Sequence, residues 1–182
     1  MSAKFSFRFE SRDRKRALPG SIILVHDQTQ TVAHIVSKLL GYVLFYRDRL
    51  LIDGELHNDS ISFRADLVWL DYELRPKLWI ECDACSVQKL NKLAVKVPEA
   101  EIWVLTRSRA EADQLLATMA KEKLRRDRYH LLAFDAEMFD ELCGLMKPRN
   151  QVVWFSADFE EGLMQFEFNQ LWFEAPFTVL RF

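Results

Sequence analysis

Hydrophobic and polar positions change period several times along the chain. Phe5, Phe7 and Phe9 alternate with Ser6, Arg8 and Glu10, the two-residue period of a strand with one buried face. A polar run with Arg12, Arg14, Lys15 and Arg16 and the turn pair Pro19-Gly20 lead into a second apolar strand at 21–26. From about Thr29 to Tyr46 the period becomes helical: Val32, Ile35, Val36, Leu39, Leu40 and Val43 recur at three- and four-residue spacing and form one stripe. Three strands are predicted next, a short one at 50–52, a long one at 61–70 and another at 77–81. A polar turn containing Pro76 separates the last two. Ser86 is placed to cap a helix over 87–97, which Pro98 helps to end, and 101–106 returns to strand.

Ser108-Arg109-Ala110-Glu111 has capping-box spacing and opens a helix to about Leu124. A strand at 129–134 and a helix from Asp135 to about Met146 follow. The tail is aromatic and alternating, with strands predicted at 153–155, 164–168 and 177–182. The central order is helix, strand, strand, strand, helix, strand, so the expected fold is α/β, a mixed sheet flanked by helices. No repeat or linker divides the sequence; one domain over 1–182 is expected, with its core at about 29–106 and added strands from both ends.

Composition narrows the function classes. The chain has 182 residues, of which 49% are apolar and 29% charged, the balance of an ordinary globular protein. A net charge of −2 and a pI near 6.1 count against strong sequence-independent binding of duplex nucleic acid, while leaving room for a local basic patch. No apolar run approaches the roughly 18 residues of a membrane span, and the segment from Met1 to Arg8 lacks the apolar stretch of a secretory signal. Three cysteines, an odd number without such a signal, fit a cytoplasmic protein. Five glycines leave no phosphate-cradling loop and no nucleophile elbow, which sets aside ATPase, dehydrogenase and serine-hydrolase chemistry.

Three carboxylates stand where an apolar strand gains nothing from them. Asp66 interrupts the run 63–70, and Glu81 and Asp83 close the run 78–83, on one side of the chain if the strand persists that far. Pairing of the two strands through the 71–76 turn brings Asp66 close to Glu81. Clustered carboxylates repel and resist desolvation unless a cation neutralises them, and hard oxygen donors suit Mg²⁺ or Mn²⁺. Lys89, Lys92 and Lys96 lie on one flank of the next helix, from which an ammonium could stabilise charge on a phosphate.

This order of Asp, a Glu fifteen residues on, and then lysine resembles the PD-(D/E)-x-K nuclease motif of the restriction-endonuclease-like fold. Within it, His34 to Lys92 is similar to the YaeQ family through Leu39-Leu40-Gly41-Tyr42, Asp48-Arg49-Leu50, Leu78-Trp79-Ile80-Glu81 and the lysine-bearing helix. The resemblance implies a divalent-metal-dependent phosphodiesterase acting on nucleic acid. Asp66 and Glu81 would bind metal, Asp83 and Gln30 would assist, and Lys89 or Lys92 would supply the catalytic lysine. Asp83 departs from the motif's usual lysine, and Gln30 replaces a glutamate of the first helix.

The same residues have plainer readings. Asp66 could pair with Arg64, Glu81 and Asp83 could favour the start of the following helix, and the lysines could be a solvated flank. The fold would then be kept without chemistry, as a binding or interaction module. Cys82-Asp83-Ala84-Cys85 has the spacing of a redox pair, but without the small-residue and proline context such a fold uses. His26, His34, His57 and His130 are too scattered for a zinc motif. Lys121, Lys123, Arg125, Arg126 and Arg128 suit a helix C-terminus. The aromatic tail reads as core, and any exposed part of it would favour self-association into a homo-oligomer.

Overall fold

A computed structural model of the chain describes residues 3–26, 29–54, 56, 61, 63–83 and 85–182. Met1, Ser2, His57, Ser62 and Ala84, on which parts of the sequence reading fell, lie outside the described residues. Strands β1 (Ala3–Ser11) and β2 (Ser21–His26) form an antiparallel hairpin. They are followed by α1 (Val32–Phe45), β3 (Leu51–Gly54), β4 (Ala65–Leu70), β5 (Pro76–Cys82), α2 (Val87–Lys96) and β6 (Glu101–Thr106). The remainder is α3 (Arg109–Lys121), β7 (Tyr129–Phe134), α4 (Ala136–Leu145), β8 (Arg149–Asp158), β9 (Leu163–Phe168) and β10 (Leu171–Arg181). The order from α1 to β6 is the helix, three strands, helix and strand expected from periodicity. The long strand expected at 61–70 begins only at Ala65.

The ten strands form one mixed sheet in the order β2-β1-β8-β9-β10-β7-β6-β5-β4-β3. β5, β6 and β7 run parallel, joined by α2 and α3, while β3-β4-β5 is antiparallel. β10 holds the two halves together. Its first half, Leu171–Pro176, pairs with β9, and its second, Phe177–Arg181, pairs with β7. The terminal hairpin joins this sheet through parallel pairing of β1 with β8.

Alternation on β4 and β5 separates two apolar layers. Leu67, Leu78 and Ile80 pack with α1, α4 and the inner side of the β1, β8, β9 and β10 strands. Val68 and Trp79 pack on the other face with Leu90 and Leu93 of α2 and Met119 of α3. α1 is buried all round from Ile35 to Phe45, as a helix clasped within a core must be. Gly41 allows its close approach to the sheet: a Cβ there would lie 2.7 Å from Leu105 Cδ1 and 3.0 Å from Leu67 Cδ1. Most tail aromatics, including Trp154, Phe166, Phe168 and Phe173, are core, as their alternation predicts. Among the described residues no helix is long and apolar enough to cross a membrane.

Candidate functional site

The acids gather at the open end of the β4–β5 hairpin, at the carboxyl end of β5. In sheets with parallel strands this end is where ligands bind, because the crossover loops and helix N-termini converge there. The ladder ends at the pair Leu67–Ile80, which Asp66 precedes and Glu81 follows. The hairpin thus delivers the two residues to one place, as strand pairing requires.

Their carboxylates then part. Asp66 Oδ2 accepts the Cys82 amide N–H at 2.8 Å, and Oδ1 lies 2.9 Å from His34 Nε2 and 3.5 Å from Lys38 Nζ of α1. Glu81 turns to the α2 side, where Trp79 Nε1 and Lys89 Nζ each donate to it at 2.7 Å. The helix starts explain both partners. The Thr31 side chain accepts the His34 N–H and the Ser86 side chain accepts the Lys89 N–H, so each cap fixes a first turn whose third residue reaches an acid. Lys38 follows His34 by one turn and lies on the same flank of α1.

Lys38 is the most buried charge, with 1% of its side chain exposed, and it bonds Asp53 of β3 as well as Asp66. With its oxygen turned to Lys38, the Gln30 amide accepts from Nζ at 3.1 Å and donates to the Val25 carbonyl at 3.0 Å. Gln30, Asp53, Arg64, Asp66 and Val25 line an open depression of about 260 Å³. Burial alone would push Asp66 upward, but the His34 hydrogen bond and charge, the Cys82 amide and Lys38 together hold it below the ordinary carboxylate value. For Glu81 burial wins: its carboxyl is pushed up despite Lys89 and Trp79, and the Asp66 charge adds to the rise. Glu81 therefore senses the Asp66 charge, and the two acids shift in opposite directions.

Asp83 does not share the side of Glu81, which corrects the alternation argument. β5 ends at Cys82, and Asp83 turns away with φ 75. Its carboxylate receives a two-pronged ion pair from Arg107, Nε to Oδ1 at 2.9 Å and Nη2 to Oδ2 at 2.7 Å. That pair sits at the mouth of a separate cavity of about 560 Å³ between the first turns of α2 and α3. Lys92 is exposed and makes no ion pair among the described residues, so of the two candidate lysines only Lys89 touches an acid.

Sequence reasoning missed His34 as a functional residue, and it missed Lys38 and Asp53. A lysine inside the apolar run of 35–45, one turn from a histidine, was the available signal. Asp53 had none, because only sheet pairing carries it to α1.

Mg²⁺ needs about six oxygens at close range, typically from carboxylates carrying uncompensated charge. Here all four oxygens of Asp66 and Glu81 already accept from protein donors, and the two acids are held from opposite sides. Among the described residues no group of three His, Cys, Asp or Glu side chains is arranged to hold a metal ion. The residues as they stand do not fit Mg²⁺ or Mn²⁺. The cysteines are free; burial pushes the Cys82 thiol well above its ordinary value, and burial and the Glu81 charge push Cys85 up to about 12. Thiolate chemistry is correspondingly disfavoured.

This architecture defines the chain as an α/β protein built on a ten-stranded mixed sheet with helices on both faces of its β4–β7 part. Its fold is that of the YaeQ proteins. It is similar to the YaeQ protein of Xanthomonas axonopodis pv. citri, with a TM-score of 0.71, 20% identity, and 99% of this chain and 97% of the other covered. It is also similar to the YaeQ protein of Pseudomonas syringae, with a TM-score of 0.73, 15% identity, and 100% and 96% covered. No protein-family model matches the sequence, and no curated protein matches it significantly.

Proposed function

We propose that the chain is a YaeQ-family relative of the PD-(D/E)-x-K nucleases that binds its partner without cleaving it. The observation that carries this reading is that the acids are already occupied by donors of the protein itself. Asp66 bonds His34 and shares Lys38 with Asp53, Glu81 bonds Lys89 and Asp83 bonds Arg107, so every one of these acids already has a donor of the protein. A metal centre draws its affinity from carboxylate oxygens free to coordinate, whereas those of Asp66 and Glu81 are engaged by donors fixed in the fold. The restriction-endonuclease-like order of elements is then a scaffold, with the ion pairs serving where the metal would sit.

The second reading is a Mg²⁺- or Mn²⁺-dependent phosphodiesterase. It is favoured by the opposed shifts of Asp66 and Glu81, the pattern of paired carboxyl groups with different tasks. It would require Asp66 and Glu81 to exchange their present donors for the ion, with Gln30 beside it and Lys89 released to face the phosphate.

Calorimetric titration with Mg²⁺ and Mn²⁺, paired with nicking assays on DNA and RNA, separates the two. The first reading expects no stoichiometric uptake and no cleavage above that of the Asp66→Ala and Glu81→Ala variants. Metal-dependent cleavage by the wild type that both variants abolish would overturn it in favour of the second.

A further inference from the structure

The outer side of the β2-β1-β8 strands, opposite the apolar core, holds a cavity of about 870 Å³ that the acids do not reach. Its cations are Arg8, Lys147 and Arg149, all exposed. None of the three makes an ion pair among the described residues, and no Asp or Glu lines the cavity. For a chain of net charge −2 this is a marked local reversal.

The floor is rigid and rich in neutral donors. Asn150, 5% exposed, bonds the main chain of Lys147 at both its N–H and its carbonyl and receives the Asn169 amide at 3.0 Å. Asn169 in turn accepts the Gln151 N–H at 2.9 Å. Register fixes the cations: Ser6 lies beside Arg149 and Arg8 beside Gln151. Arg8 and Arg149 are thus diagonal neighbours with α-carbons about 8 Å apart, from the strand spacing and rise.

Gln151 and Gln170 also line an adjoining depression of about 320 Å³ that contains Phe155, so the trough continues across the sheet. Glu10, paired with Arg12, and Glu167, the strand partner of Trp172, line this end, so the phosphates belong to the cationic end and a neutral base to this one. There Phe155 meets Trp172 edge to face at 4.9 Å, and Trp172 is 50% exposed, next to the similarly open Leu171 at the start of β10. At the other end, Ile23 lines the cationic cavity and Val25, two residues along the same side of β2, lines the Asp53–Asp66 depression.

We propose that this helix-free trough binds a single strand of nucleic acid, with Arg8, Lys147 and Arg149 taking the phosphodiester backbone and the Phe155–Trp172 pair taking a base. Unpaired cations along a trough that also holds an exposed aromatic, here Trp172 backed by the half-buried Phe155, are what a sequence-tolerant single-strand site requires. A duplex would offer no free base to the aromatic pair. A membrane surface would be met poorly by cations recessed in a concavity. The inference rests on the reading of the chain as a binding protein and names its partner class.

The test uses the full chain with fluorescently labelled oligonucleotides of about 20 thymidines or uridines, in EDTA, followed by anisotropy at about 50 and 200 mM salt. Binding is expected without divalent metal. The logarithm of the affinity should fall against that of salt with a slope near −2, three phosphate contacts at about 0.7 each. Arg8→Ala with Arg149→Ala should weaken binding at least tenfold and reduce the slope by about 1.4. Trp172→Ala should weaken binding about fivefold or more while leaving the slope unchanged. Lys121→Ala, in the other basic cluster, should change neither. All four positions are exposed, and unchanged thermal melts will establish that each variant folds.

Absence of binding at low salt, or binding untouched by the Arg8/Arg149 and Trp172 variants, overturns the proposal. So does capture by phosphatidylglycerol vesicles that oligonucleotide fails to displace. Concentration-dependent dimerisation that Trp172→Ala abolishes would assign the aromatic pair to a second copy of the chain and overturn it as well. Because metal is excluded, these outcomes are independent of the cleavage assay.

Discussion

Asp66 precedes and Glu81 follows the last pair of the β4–β5 ladder, Leu67 with Ile80, yet their carboxylates are held from opposite sides of the sheet, Asp66 by α1 and Glu81 by α2. Strand pairing brings them together; two capped helix starts supply the cations that keep them apart. The consequences of that arrangement can be measured.

Lys38 is the shared counter-ion of Asp53 and Asp66, and its removal leaves two acids of the paired strands β3 and β4 without it. Breaking a buried pair by deleting one partner costs about 3–5 kcal/mol. Because Asp53 is a third exposed, Lys38→Met should lose about 3 kcal/mol, the lower end of that range, measured by urea unfolding near neutral pH. A loss below about 1 kcal/mol would mean that the lysine is not the keystone of this site.

The two acids should leave opposite signatures in stability against pH. Asp66 titrates below its ordinary 3.8 in the fold, so its contribution is complete above that value and is lost as pH falls through the folded pKa. The stability advantage of wild type over Asp66→Asn should therefore shrink on acidification below about pH 4. Glu81 titrates above its ordinary 4.5, so the fold favours its protonated form, and that contribution is lost as pH rises through the raised value. Wild type compared with Glu81→Gln should weaken on the alkaline side of pH 4.5, and parallel profiles would contradict the burial argument.

Asp83 and Arg107 should couple as a two-pronged pair. A double-mutant cycle of Asp83→Ala and Arg107→Ala is expected to give about 1 kcal/mol, since the arginine is 37% exposed and partly screened by water. About 1 M salt should reduce that coupling substantially.

The thiols should be inert. Native protein treated with an aromatic disulfide reagent at about pH 8 should label Cys82 and Cys85 far more slowly than urea-unfolded protein, because burial holds both protonated. Rapid stoichiometric labelling of Cys85 in the native state would restore the redox alternative.

Periodicity alone determined the elements. The alternation of Phe5, Phe7 and Phe9, the α1 stripe and the capping residues Ser86, Ser108 and Asp135 are all local features, and each appears where its spacing predicts. The acids Asp66 and Glu81 were legible too, because a charge inside an apolar strand is conspicuous wherever the strand lies. What Asp66 touches was not legible, since His34, Lys38 and Asp53 reach it only through helix packing and sheet pairing over distances in sequence that no local period spans. Asp83 was misplaced for a related reason: a single turn to positive φ at the strand end reverses the side chain, and alternation carries no information about where a strand stops. The basic trough lay deepest of all. Its cations come from β1 and from the loop and start of β8, and only the parallel pairing of chain segments more than a hundred residues apart sets them beside the aromatics of the tail, whose own sequence neighbours are mostly acidic.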